Sequence, residues 1–173
     1  MNQSDKAHFL ARVSREMDED LGALDRSPQE ALAACCRILG KEGHESGLAG
    51  QVTAIGDQPN TWWTLRFGLG FEEATAWIMV LVDEDLKPLS GGRPNPGVRF
   101  HVWIYRKRPD VKAIVHTHAP YASALSCTSS PLKTMHMDSA MLHDTAHLPD
   151  WPGVPVADDE GRIISGALGD AKC

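Results

Sequence analysis

Two histidines one residue apart, His116 and His118 in the segment Ala113-Ile-Val-His-Thr-His-Ala119, have the types and spacing to hold a divalent ion. Val111 to Thr117 reads as a strand, where side chains alternate faces, so the two imidazoles project from one side and Thr117 from the other. About 7 Å apart along such a strand, they can converge on one ion, and imidazole suits zinc, manganese, iron or cobalt. The same pattern also occurs on hydrogen-bonded, half-buried strands without metal, and spacing alone leaves both readings open. A second cluster, Met135-His-Met-Asp138 with His143, Asp144 and His147, could supply an acid–base group or a further ligand, or could be solvated turn and loop. His44, Glu45 and Ser46 could form a helix-end turn or line a pocket, while Asp158-Asp-Glu160 reads as a solvated turn.

The elements that must position these residues can be read from local pattern. Ser27, Pro28 and Glu30 supply an N-cap, a first-turn proline and an early acid for a helix through Ala31 to Leu39, with Gly40 near its end. Cys35 and Cys36 pack in that helix as reduced thiols. A glycine-rich stretch, Gly43 to Gly50, leads into the β-prone run Gln51 to Ile55. Thr61 to Phe67 and Trp77 to Val82 are rich in aromatic and β-branched residues and predict neighbouring antiparallel strands. Val98, Val102 and Tyr105 fall at helical spacing, and that helix should stop before Arg108-Pro109. Another helix should start near Pro120, its N-terminus toward the histidine strand. It could favour a substrate carboxylate there, or the proline could simply begin a helix.

Composition narrows the classes. The 173 residues fit one domain with a real core, taken here as residues 1–173. A net charge of −6, without a sizeable basic patch, argues against nucleic acid and anionic lipid as partners. The first twenty residues are charged and lack the apolar core of a secretory signal, and the longest apolar run, Trp77 to Val82, is far short of a bilayer span. The expectation is a cytoplasmic protein with no membrane segment. Four cysteines, with neither disulfide density nor CxxC spacing, imply no cross-linked framework.

The text around the two histidines, Arg108-Pro-Asp-Val-Lys-Ala-Ile-Val-His-Thr-His-Ala-Pro-Tyr-Ala-Ser-Ala-Leu-Ser126, resembles the metal-binding segment of the class II aldolase/adducin family. Gly47-Leu-Ala-Gly-Gln-Val-Thr53, Gly68-Leu-Gly-Phe-Glu-Glu-Ala-Thr75 with Val80-Leu-Val-Asp83, and Asn95-Pro-Gly-Val-Arg-Phe-His101 resemble further landmarks in order, so the likeness spans about Ser27 to Lys172. The resemblance implies an α/β fold with a central, mainly antiparallel sheet flanked by helices. It also implies a homo-oligomer, commonly a tetramer, and a divalent cation, commonly zinc, that stabilises an enediolate during C–C cleavage. A Lewis acid suits that chemistry because charge developing on oxygen is costly without a cation. By position, His116 and His118 become the first two metal ligands and His136 the favoured acid–base group. The resemblance makes His101 no ligand, but a residue packed on its helix with a backbone hydrogen bond.

The departures from the family pattern are specific. Sugar-phosphate aldolases of this family carry a catalytic glutamate after phosphate-gripping serines where this chain reads Asn95-Pro96-Gly97. A family asparagine appears as Gln51, and a hydroxyl residue appears as Phe67. The sequence therefore points to a metal-dependent lyase, by aldol cleavage or decarboxylation, for a small unphosphorylated hydroxy- or oxo-acid. An adducin-head-like module for oligomerisation or partner binding is the alternative. Family members take a third histidine from a strand following a segment like Ile164 to Lys172, and the chain reaches Cys173 before any such strand. The expectation is a domain truncated at its C-terminal end, with a sheet edge left unpaired.

Overall fold

The computed structural model describes residues 3–21, 25–44, 47–128, 130–143 and 153–173. Helix α1 (Gln3–Leu21) precedes α2 (Pro28–Lys41), followed by strands β1 (Gln51–Ile55), β2 (Trp62–Leu65) and β3 (Met79–Val82). Helix α3 (Val98–Lys107), strand β4 (Ala113–His116), and helices α4 (Pro120–Ser126) and α5 (Asp158–Leu168) complete the order. The four strands form one antiparallel sheet in the order β3-β2-β1-β4, the mixed α/β architecture expected from the sequence.

Local chemistry accounts for the elements. Ser27 caps α2 in a complete capping box: its hydroxyl accepts from Glu30 N, and the Glu30 carboxylate accepts from Ser27 N at 2.8 Å. Leu32, Ala33, Cys36 and Gly40 form the buried face of that helix. It packs on β1 and β2, over a core of Val52, Trp63, Leu65, Phe71 and Met79. Side chains of opposite parity point to the other face, where Trp62, Val80 and Val82 meet Val102 and Tyr105 of α3. Every residue of β2 is buried because helices cover both faces, which explains its unbroken run of Trp, Trp, Thr and Leu.

Several sequence expectations need correction. The strand expected from Trp77 begins only at Met79; Ala76–Ile78 is a 3-10 turn that leaves Trp77 exposed. Strand β4 ends at His116, so His118 lies just beyond it rather than within it. Helix α2 runs one residue past Gly40. Asp158, Asp159 and Glu160 are the first turn of α5 rather than a loop, with Asp158 and Asp159 exposed as expected and the carboxylates facing the positive end of the helix dipole. Asp158 also accepts from Trp103 Nε1 at 3.0 Å, fastening α5 to α3. Cys35 and Cys36 do lie in α2, with Cys36 fully buried.

Among the described residues β4 pairs only with β1, so its outer side is a sheet edge. A groove of about 700 Å³ runs along that edge, bounded by Phe100, Ile104, Val115, His116, Leu168 and Lys172. The position of α5 beside it depends on close packing at Gly161, where any Cβ would meet the Trp103 ring. Gly161→Leu should therefore displace α5 and lower stability by about 1–3 kcal/mol, the usual range for overpacking. Urea unfolding measures this, and an unchanged midpoint would show that α5 is not seated on Trp103.

Candidate metal centre

The site is assembled where β1 starts and β4 ends. In the antiparallel register Gln51 stands directly across from His116, and Thr53 across from Ile114, so Gln51, Thr53 and His116 share the sheet face covered by α3. His116 Nδ1–H donates to Gln51 Oε1 at 2.6 Å. An amide oxygen can only accept, so this bond assigns the proton to Nδ1 and leaves the Nε2 lone pair free. The His118 ring lies 4.9 Å from that of His116, centroid to centroid. Phe100 stands edge-on to His116 at 5.1 Å and forms an apolar wall.

The loops around the pair are tied to it by short-range bonds. His118 N donates to His44 O at 3.3 Å, and the His44 ring lies 3.3 Å from Thr117 Oγ1. His44 is thus a turn residue after α2 that also anchors the histidine segment, while Glu45 and Ser46 lie outside the described residues. Asn95 accepts from Gly97 N at 2.9 Å and donates to Leu48 O at 3.1 Å, joining the loop before α3 to the loop before β1. Gly97 has an ordinary right-handed conformation, φ −61° and ψ −15°, so backbone geometry does not demand glycine there. Space is tight instead: a Cβ would lie 3.0 Å from Gln51 Nε2 and 3.1 Å from its Cδ and Oε1, so the carboxamide would have to give way by a few tenths of an ångström.

Behind this layer His101 is completely buried. Its Nδ1 is 2.8 Å from Thr53 Oγ1, which is 2.9 Å from the Tyr105 hydroxyl. The expected backbone bond of His101 is thus replaced by a side-chain bond, because the inward face of α3 meets Thr53 rather than a free carbonyl. Burial, reinforced by His116 nearby, drives the His101 pKa well below the ordinary value and keeps it neutral. Burial likewise raises Tyr105 to about 12. His116 is lowered to about 4, mainly by burial and secondarily by His118. A neutral imidazole with a free Nε2 is the form that ligates metal.

The structure brings His116 and His118 together but does not join His136 to them. His136 caps the 3-10 turn Met137–Leu142 with its ring exposed and Nδ1 3.8 Å from Asp138 Oδ2. His143 is exposed, with Nδ1 3.3 Å from Thr134 Oγ1, and Asp144 and His147 lie outside the described residues. Among the described residues no group of three or more His, Cys, Asp or Glu side chains is placed to hold an ion. The two imidazoles therefore fit a divalent transition metal as half of a tetrahedral donor set. Sequence reasoning singled out Gln51 and Gly97 as departures but missed that they touch; the only signal was a longer side chain at one position and a lost one at the other.

The model of the class II aldolase and adducin N-terminal domain matches residues 30–173. This chain belongs to that family. It is 34% identical over 153 residues to an adducin-related protein of Schizosaccharomyces pombe, covering 78% of this chain and 44% of that protein. It is 30% identical over 129 residues to the decarboxylase NovR of Streptomyces niveus, covering 72% of this chain and 48% of the other. The solved L-fuculose 1-phosphate aldolase of Glaciozyma antarctica superposes with a TM-score of 0.73 at 29% identity, over 84% of this chain and 58% of that one. The chain spans about half the length of the curated relatives it matches. Family membership thus agrees with the resemblance read from the histidine segment. No helix among the described residues is long and apolar enough to cross a membrane.

The depressed His116 pKa has a measurable consequence. Between its ordinary 6.5 and the folded-state value of about 4, the unfolded chain binds this proton and the native one does not. The associated stability is complete above the ordinary value and is lost as pH falls toward the folded-state value. From pH 7 to 5 the metal-free protein should lose about 2 kcal/mol more than His116→Gln, at 1.36 kcal/mol per unit. His101 is held neutral chiefly by burial, which both proteins keep, so its contribution largely cancels. Parallel urea titrations at the two pH values check this, and equal losses would mean that His116 is not buried as described.

Proposed function

We propose that this chain is the metal-binding domain of a lyase that cleaves or decarboxylates a small, unphosphorylated hydroxy- or oxo-acid. The observation that carries the reading is the pair of adjacent imidazoles, one of them held neutral with its Nε2 free. His116 and His118 would hold one divalent ion, zinc first and manganese, iron or cobalt otherwise. Bound there, the ion would act as a Lewis acid for charge developing on a substrate oxygen. Water would fill the remaining positions, since the structure does not bring His136 to the pair.

The residues of the loop before α3 support an unphosphorylated substrate. Asn95 commits both ends of its side chain to Gly97 and Leu48, and Gly97 has none, so this loop presents no cluster of donors to a phosphate dianion. A carboxylate is better matched: Lys172 borders the groove that reaches His116, and the related NovR is a decarboxylase. Phe100 and the buried sheet face exclude water from one side of His116. His136, exposed beside Asp138, is the proposed acid–base group. We further propose a cytoplasmic homo-oligomer, most simply a tetramer, with small molecules rather than nucleic acid or membranes as partners.

A second reading is favoured by one observation, the missing carboxylate at Gly97. It is a non-catalytic module for oligomerisation or binding, in keeping with the adducin-related relative. Metal content separates the two. The protein purified without added metal should carry close to one divalent transition ion per chain, and His116→Ala/His118→Ala should carry none. Equal metal in both proteins refutes the site. Fuculose phosphate and ribulose phosphate should not be turned over, even by Gly97→Glu, whereas a panel of hydroxy- and oxo-acids should include a substrate that requires His136; robust turnover of the sugar phosphates refutes the substrate class.

A further inference from the structure

We infer that Gln51 is a positioning residue that fixes the tautomer and orientation of His116, and that position 97 is glycine because the Gln51 carboxamide fills the space of its side chain. The inference deepens the reading of His116 as a ligand and rests on it only for its effect on metal.

The argument starts from strand register. Gln51 and His116 are directly opposed on β1 and β4, with side chains on the same face, so their contact is set by backbone pairing rather than by chance of rotamer. Gln51 is buried and its Oε1 accepts from His116 Nδ1 at 2.6 Å. A ligating histidine needs one nitrogen free and the other bonded, and the bonded one decides which nitrogen faces the ion. With Nδ1–H given to Gln51, only Nε2 is left for an ion shared with His118.

A glutamine at the start of β1 is free to adopt several rotamers, so something must hold its carboxamide toward β4. On one side the hydrogen bond to His116 does so, and on the other the backbone at Gly97 supplies the wall. A Cβ there would come within 3.0–3.1 Å of three atoms of the carboxamide, closer than ordinary contact, and the amide would have to shift by a few tenths of an ångström, enough to disturb its bond to His116. The loop cannot simply retreat: Asn95 pins it to Leu48, three residues before Gln51 in the chain. Positions 51 and 97 are therefore coupled through one volume. A side chain at 97 acts on His116 by moving Gln51, without touching the histidine.

Two readouts test this in the intact chain. The first, long-range proton–nitrogen NMR of the metal-free protein, reports the tautomer of His116 directly and does not require that metal bind. The second is zinc affinity by competition with a chromophoric chelator. Gln51→Met, similar in shape but without the acceptor, should convert His116 from the Nδ1–H form to a tautomer mixture and weaken zinc binding about 10- to 100-fold. Gln51→Glu, which keeps an acceptor oxygen, should preserve the tautomer and serves if the methionine variant folds poorly. Gly97→Ala should shift the tautomer in the same direction as Gln51→Met, and the double variant should be no worse than Gln51→Met alone, since both act through one contact. An unchanged His116 tautomer in Gln51→Met, or fully additive effects of the two substitutions, would overturn the inference. If the tautomer responds as expected but the wild type takes up no zinc, the positioning role stands and the metal reading fails.

Discussion

The pairing of β1 with β4 is the contact on which the rest of the site depends. It places a buried amide opposite a largely buried imidazole, and neither could be left without a partner at small cost, because a buried polar group lacking its hydrogen bond costs about 1–3 kcal/mol. The bond between Gln51 and His116 gives the amide oxygen and the imidazole Nδ1 their partners at once. The same register fixes which face of β4 carries His116, and a slip of one residue would turn it away from α3. The loops are then drawn in. His118 bonds back to His44 at the end of α2, and Asn95 bonds back to Leu48 ahead of β1.

The two faces of the sheet divide the labour of stability and chemistry. Toward α2 the packing is apolar, with Val52, Trp63, Leu65, Phe71 and Met79 against Leu32 and Cys36. Toward α3 a polar seam runs through the core: Gln51, Thr53 and Thr64 on the sheet, His101 and Tyr105 on the helix. Thr53 bonds both His101 Nδ1 and the Tyr105 hydroxyl, which leaves His101 Nε2 as a buried nitrogen without a hydrogen bond among the described residues. Burial keeps His101 uncharged, which matters because a cation there would sit with its ring only 6.4 Å from that of His116 and oppose any metal beside it. The seam thus supplies a neutral backing to the candidate site while the apolar face supplies most of the hydrophobic driving force.

Residue pattern made the secondary structure readable where one rule dominated. The capping box at Ser27 and the helical spacing of Val98, Val102 and Tyr105 correspond to the observed helices, and the β-branched runs correspond to β1, β2 and β3. The errors arose where two rules competed. Trp77 looks like a strand residue by type, yet a 3-10 turn ahead of β3 leaves it in solvent. Asp158 to Glu160 looks like a loop by charge, yet acids are favoured in the first turn of a helix. His116 and His118 were legible as a pair, but the alternation argument used to align them assumed a strand that stops one residue too soon. Their rings approach because the chain leaving β4 is held by His44, a contact between residues more than seventy positions apart that no local pattern encodes.

The contact between Gln51 and Gly97 bears on whether the departures from the sugar-phosphate aldolase pattern are losses or a different design. A site that had merely lost its carboxylate would leave a void or an unsatisfied polar group where the side chain used to be, since packed interiors relax only partly around deletions. Here the space beside Gly97 is filled, the filling atoms belong to an amide with its oxygen bonded to His116, and the adjacent Asn95 uses both of its polar ends within the loop. Size is exchanged between two positions, and the oxygen of the larger side chain is bonded to His116. The glycine at 97 and the glutamine at 51 are thus explained together by one shared volume, as packed interiors require.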